Sequence, residues 1–170
     1  YKRQMELQGI DIRLNTVATS EKILAEKPYA VFIATGGAPI MPQIPGIEKP
    51  SVITAENYLK NNIEIEGKTV AVIGGGLVGC EVSSTVASNG NRVVLVEMLE
   101  TVGTGQYPDA QIELFNLMDE YNVEVMTNSK MIEVTDEGVV VENALSREKH
   151  IIPADVVMLA LGVKPVNELY

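Results

Sequence analysis

Four glycines and one acid carry the types and spacing that suggest chemistry. Gly74-Gly75-Gly76-Leu77-Val78-Gly79 fits the pattern G-x-G-x-x-G. In that pattern the first glycine permits a tight strand-to-helix turn. The second, Gly76, lacks the Cβ that would hold a pyrophosphate off the backbone, and Gly79 lets the helix lie close to the strand. Unpaired N–H groups from Leu77 and Val78 in the helix's first turn, with the positive end of its dipole, would then face phosphates. Glu97 lies 23 residues beyond Gly74, close to the roughly 20 expected for the acid that accepts the hydroxyls of an adenine ribose. Met98 follows it at the same strand end.

A lone glycine pattern is common, so the elements around it decide. Val70, Ala71, Val72 and Ile73 form a continuous apolar run, as suits a strand buried on both faces of a parallel sheet. A helix is expected from about Leu77 to Asn89, with Val78, Val82 and Val86 four residues apart and small Gly79, Ser83 and Ala87 allowing close approach. Asn89-Gly90-Asn91 supplies a left-handed cap. Arg92 to Val96 is a second buried strand ending at Glu97. Strand, glycine turn, helix, strand and acid in this order point to a dinucleotide site. The strand continues Glu97-Met98-Leu99-Glu100 with no nearby Lys or Arg, which predicts NADH over NADPH, because a carboxylate repels a 2′-phosphate.

Composition excludes other classes. The chain has 170 residues, 46% of them hydrophobic, and a formal charge of −10 without any Lys/Arg cluster. That balance argues against nucleic acid or an anionic membrane as partner. An anionic cofactor remains compatible, since the expected site uses backbone N–H groups. The single Cys80 excludes an intrachain disulfide and a multi-cysteine metal site, and it reads as a packing residue. No metal-ligand, Ser/His/Asp or paired-carboxylate spacing stands out, so no metal and no catalytic residue within the chain is expected. His150 reads as a surface residue. With no apolar run near 18 residues and no visible signal peptide, a cytoplasmic location is the default. The chain begins at Tyr1 with helix-like sequence and is expected to be a piece of a longer polypeptide.

In chain order, residues 1–7 read as the end of a helix stopped at Gly9. Residues 10–14 alternate as a strand, Ser20 caps a short helix, and residues 29–33 (YAVFI) read as a buried strand. Four prolines between Pro39 and Pro50 mark a linker, and residues 52–59 add a turn or two of helix. Beyond Glu97 come a glycine-containing loop at 101–106, then a helix opened by Pro108 with Ile112, Leu114, Phe115, Leu117, Met118 and Tyr121 on its apolar face. A third parallel strand is expected at 123–126. Strands at 131–135, 139–142 and 150–152 then form an antiparallel meander in place of a crossover helix, and 156–159 forms one more buried strand. Both buried runs 29–33 and 156–159 exit into Ala-x-Gly-x-x-Pro, at 34–39 and 160–165, as the host strands around an inserted domain would.

Taken together the sequence is similar to the NAD(P)/FAD modules of pyridine nucleotide–disulfide oxidoreductases. The stretches GGGLVGCE, VVLVEMLE and DVVMLALGVKPVNEL resemble most the C-terminal part of NADH:flavin oxidoreductases of the 2-enoate reductase, 2,4-dienoyl-CoA reductase and trimethylamine dehydrogenase type. The resemblance implies an α/β fold: a Rossmann-like parallel sheet with an antiparallel meander crossover, at 46–160, inserted in an FAD-type domain represented by 1–45 and 161–170. It implies NAD(H) here, FAD in the parent protein, and FMN with an iron–sulfur cluster in an N-terminal part. Ala34-Thr35-Gly36 and Ala160-Leu161-Gly162 match the two domain crossings, with nicotinamide beside Gly162. The acid after the motif, Glu81, would face the nicotinamide carboxamide, and the alternative is a carboxylate favoured near the helix dipole.

Two functions follow from the resemblance. One is an NADH-binding domain of a flavin oxidoreductase, passing hydride from NADH to a flavin held with the rest of the parent polypeptide. The other is a nucleotide-binding or regulatory module without turnover. The isolated chain is expected to bind NADH, to carry no flavin, and to self-associate or disorder locally through its uncovered strands.

Overall fold

In the computed structural model, which describes residues 1–104 and 107–169, the apolar run at 70–73 becomes the middle strand of a five-stranded parallel sheet. Gly105 and Gln106, which end the loop expected after the second strand, and Tyr170 lie outside the described residues. The chain divides into a smaller unit, Tyr1–Gly36 with Pro165–Tyr170, and a larger unit, Gly37–Lys164.

The smaller unit contains two short helices, α1 (Lys2–Leu7) and α2 (Ser20–Ala25). Gly9, at φ +64°, follows α1 as expected. The cap of α2 is Thr19 rather than Ser20, its hydroxyl accepting from the Lys22 N–H. Two expected strands are absent. Residues 10–14 and 29–33 form no ladder, and their large apolar side chains are exposed. A strand is a set of hydrogen bonds to a neighbouring strand, and no described residue of this unit pairs with either run in that way. Residues 34–36 do find a partner, because Thr35 donates its hydroxyl to the Val166 carbonyl and the Val166 N–H donates to Gly36.

The larger unit contains β1 (Gly37–Pro39), β2 (Val52–Thr54), α3 (Ala55–Asn61), β3 (Thr69–Ile73), α4 (Leu77–Ser88), β4 (Arg92–Val96), α5 (Pro108–Glu120) and β5 (Glu124–Met126). It continues through β6 (Ser129–Val134), β7 (Gly138–Asn143), β8 (Lys149–Pro153), β9 (Val156–Leu159) and the first two residues of β10 (Val163–Pro165). The parallel sheet has the order β2-β9-β3-β4-β5, and β6-β7-β8 form the expected antiparallel meander. The segment at 52–59 is a strand followed by a helix, not a helix alone. The two Ala-x-Gly-x-x-Pro exits supply β1 and β10, which pair with each other.

The sheet is covered on both faces, and strand alternation sorts its residues. From β3, Val70 and Val72 enter a core with Cys80, Val82 and Val86 of α4 and with Leu114 and Met118 of α5. Ala71 and Ile73 face the other way, into a core with Met131, Val134, Val139, Val141 and Ile152 of the meander. The meander thus buries the face that a crossover helix would otherwise cover. On α5, Leu114 and Met118 are buried but Ile112 is exposed, so the apolar face is narrower than its composition suggested.

The proline segment is not a free linker. Ile44 and Ile47 pack on the meander core, the Val134 N–H donates to the Pro45 carbonyl at 2.9 Å, and a Cβ on Gly46 would lie 1.9 Å from the Val134 carbonyl oxygen. These contacts tie the segment to the larger unit, which begins at Gly37.

Candidate functional site

The turn between β3 and α4 is built by three different constraints on its glycines. Gly74 has φ +106°, where side chains other than glycine's are strained, and a Cβ there would lie 2.6 Å from the Ala160 carbonyl oxygen of the strand beside it. A Cβ on Gly79 would lie 1.7 Å from the Gly74 carbonyl oxygen, so α4 can start this close to the turn only with glycine there. Gly76 differs from both. It is the N-cap of α4 with ordinary extended torsions, φ −68° and ψ −176°, and a Cβ there would meet nothing within 4 Å. Its backbone borders open space, which leaves room for a group to lie against it. The first helical bond runs from the Cys80 N–H to the Gly76 carbonyl at 3.0 Å. The N–H groups before it point out of the helix end without intrahelical partners.

Gly75 is held from both sides. Its N–H donates to Glu97 Oε2 at 2.6 Å, and its carbonyl accepts from the Gly103 N–H at 2.7 Å. The other oxygen of Glu97, Oε1, accepts from the Leu99 N–H at 2.8 Å. Glu97 is only 9% exposed. Its main chain is tied as well, its N–H to the Met126 carbonyl and its carbonyl to the Ser129 N–H, both at 2.8 Å. The acid expected to reach outward to a ribose therefore also fastens the glycine turn to the end of β4.

A cavity of about 990 Å³ opens beyond the carboxyl ends of β3, β4 and β9. The chain leaves β3 for β4 on one side, while β9 returns on the other, so the cavity sits where the strand order reverses, the usual place for a ligand in such sheets. Of the expected site residues, Gly74, Gly76, Leu77, Val78, Glu97, Met98, Ala160 and Gly162 line it together. Val78 turns its side chain to this cavity as well and is half-exposed, whereas Val82 and Val86 of the same row are buried in the core. Gly75 and Gly79 act behind the wall. Glu81 is exposed on α4 and is not brought into the cavity.

Several wall residues escaped the sequence analysis. Leu161 fills the gap between Ala160 and Gly162, and Lys130 and Met131 of β6 reach the same cavity as Glu97. Nothing in local spacing could have revealed Lys130 and Met131, because they come from the meander, which folds under the sheet and returns. Lys60, on the last turn of α3, is a second cation in the wall. Cys80 is buried, its thiol directed to the Gly75 carbonyl at 3.5 Å, and burial pushes its pKa up, which suits packing and not nucleophilic attack. His150 is exposed on β8, with Nε2 3.4 Å from the Met126 sulfur. Among the described residues no group of three His, Cys, Asp or Glu could hold a metal ion, and no helix is long and apolar enough to cross a membrane.

Comparison with known proteins identifies the site's lineage. The family model for pyridine nucleotide-disulphide oxidoreductases matches residues 4–170. The chain belongs to this oxidoreductase family. It is 36% identical over 162 residues to the bilirubin reductase of Mediterraneibacter gnavus, covering 95% of this chain and 25% of that protein. It is 33% identical over 172 residues to an NADH oxidase of Thermoanaerobacter brockii, covering 98% of this chain and 26% of that protein. Among solved structures, a 2-naphthoyl-CoA reductase in complex with 2-naphthoyl-CoA superposes with a TM-score of 0.82 at 31% identity, over 99% of this chain and 25% of that one. This member of the family thus spans about a quarter of the length of these relatives. The resemblance drawn from the sequence holds, as does the α/β fold.

Proposed function

We propose that the chain is the NADH-binding domain of a flavin-dependent, enoate reductase-like oxidoreductase. On this reading the larger unit is the nicotinamide domain and the smaller unit belongs to an FAD-type domain. NADH supplies a hydride, with FAD as its acceptor, and the branch implies FMN and an iron–sulfur cluster elsewhere in the parent protein. The observation that carries the proposal is that the open backbone at Gly76 and the Glu97 carboxylate lie on one cavity wall.

The residues of the chain have separable tasks. Gly76 admits the pyrophosphate to van der Waals contact with the backbone, and the helix-end N–H groups of Leu77 and Val78 hold it with the α4 dipole. Each Glu97 oxygen accepts one backbone N–H and retains a second acceptor site for a ribose hydroxyl. Met98 covers the ribose from the strand end. Leu77, Leu161 and Val163 give the cavity an apolar wall that keeps water from the nicotinamide beside Ala160 and Gly162. Glu81, on the exposed face of α4, is available to the ring's carboxamide only from outside the cavity. An NADH oxidase and two reductases among the relatives support this assignment.

Parallel titrations of the chain with NADH, NADPH and FAD test the proposal. The expected result is one NADH bound per chain, weaker NADPH, and no FAD held stoichiometrically. Tight FAD with no measurable NADH would overturn it.

A further inference from the structure

We infer that Glu97 is a positioning residue for the phosphate-binding turn, in addition to accepting ribose hydroxyls. This rests on the nucleotide reading above and deepens it. A ribose acceptor alone would be expected to present its oxygens to the cavity. Instead both oxygens are committed to backbone N–H groups, Gly75 at 2.6 Å and Leu99 at 2.8 Å, on a side chain nine-tenths buried.

The bonds extend the link between the two loops one step past the last sheet-like backbone bond, from the Gly74 N–H to the Val96 carbonyl at 2.8 Å. Gly75 sits between the two glycines that shape the turn, so fixing its peptide fixes the direction in which the Gly76 backbone faces. Its carbonyl is held by the Gly103 N–H at 2.7 Å, and its Cα is packed so closely that a Cβ would lie 2.6 Å from Val102 Cγ1 and 2.9 Å from Glu97 Cβ. The loop after β4 therefore grips Gly75 through three groups, and Glu97 supplies the only charged one among the described residues. Hydrogen bonds to an ionised acceptor are about twice as strong as neutral ones. The carboxylate also cannot be replaced by an amide without loss, because a Gln side chain has a single acceptor oxygen for the two donors. The cradle is thus set before the ligand arrives, and the ordering cost is not taken from the ligand's affinity.

The test is a comparison of ligands that differ only in the ribose diol. ADP and 2′,3′-dideoxy-ADP are titrated into the wild-type chain, Glu97→Gln and Glu97→Ala, with amide hydrogen exchange of each variant without ligand. A positioning role predicts that Glu97→Ala weakens dideoxy-ADP about tenfold as well as ADP, with Glu97→Gln in between. It also predicts that protection falls at Gly75 and Leu99 while β3 core amides stay protected. If Glu97 only accepts the ribose, both variants bind dideoxy-ADP as the wild type does, and the inference fails while the nucleotide reading stands. If the wild type binds neither ligand, the nucleotide reading fails and the inference with it. Should Glu97→Ala not fold, the Gln variant alone decides, since equal dideoxy-ADP affinity and unchanged protection at Gly75 would still overturn the proposal.

Discussion

Two apolar runs of nearly the same character end in opposite states. Residues 70–73 (VAVI) lie inside the parallel sheet with scarcely any exposed surface, whereas residues 29–33 (YAVFI) join no strand and leave Phe32 94% exposed. Composition does not separate them. What separates them is company: β3 has β4 and β9 in register on either side, helices over one face and the meander over the other. The described residues of the smaller unit give 29–33 none of these. An apolar run states a demand for burial, and only the neighbours decide whether it is met.

The sharpest way to break that comparison is to truncate one apolar side chain in each region. Leu95→Ala, at a fully buried site in β4, should cost about 2–5 kcal/mol. Phe32→Ala should stay within about 0.5 kcal/mol. Urea denaturation of both variants checks this, and equal losses would show that 29–33 is buried after all. A smaller effect sharpens the contrast within the glycine turn. Gly79→Ala must move α4 off the Gly74 carbonyl and should cost about 1–3 kcal/mol, while Gly76→Ala, facing open space, should stay within about 1 kcal/mol. Thermal melts of the two variants should rank them in that order.

A third effect concerns ligand discrimination. Glu97 should favour NADH over NADPH by about tenfold, roughly 1.4 kcal/mol. The structure adds Lys130 to the same cavity wall, and this cation should soften the rejection of a 2′-phosphate. Lys130→Ala is therefore expected to widen the preference by a few-fold with little change in NADH affinity. Equal dissociation constants for the two coenzymes in the wild type would sink the assignment of Glu97.

The smallest effect asks whether the proline segment belongs to the larger unit. Lys49 of that segment lies 2.6 Å from Asp136 in the β6–β7 turn. The pair lowers the Asp136 pKa and raises that of Lys49, chiefly through their hydrogen bond. Its stabilisation is present above the ordinary aspartate pKa and is lost as pH falls through the lowered one. At the other end it is lost as pH rises through the raised lysine value. Both groups are exposed, so the effect is small. Asp136→Asn should melt slightly below the wild type at neutral pH, and the two should converge in acid. A difference that persists unchanged in acid would remove the ion pair as its cause.

Much of this architecture could be read from local pattern. The sequence from Thr69 to Glu97 specifies its own strand, turn, helix and strand, because the tightest constraints on its turn lie within that span or at its return strand: Gly79 against the Gly74 carbonyl, and Gly74 against Ala160. The meander was readable for the same reason, through alternation and the turn at Gly138, whose φ is +143°. What was not readable depends on distant partners. The packing of Ile44 and Ile47 and the arrival of Lys130 and Met131 beside Glu97 are both consequences of how the meander folds under the sheet. The grip of Glu97 on Gly75 joins residues whose individual roles were foreseen, but two loops had to meet before the bond existed.

The central claim, that a dinucleotide lies against the Gly76 backbone, is tested most directly by calorimetric titration of NADH into the wild-type chain and Gly76→Val. Gly76 has torsions open to any residue and an empty Cβ direction, so the variant should fold, as an unfolding curve close to the wild type's would record. We predict one NADH bound by the wild type and no detectable binding by Gly76→Val. A folded Gly76→Val that binds NADH with wild-type affinity would contradict the account, because the pyrophosphate would then lie somewhere other than this turn.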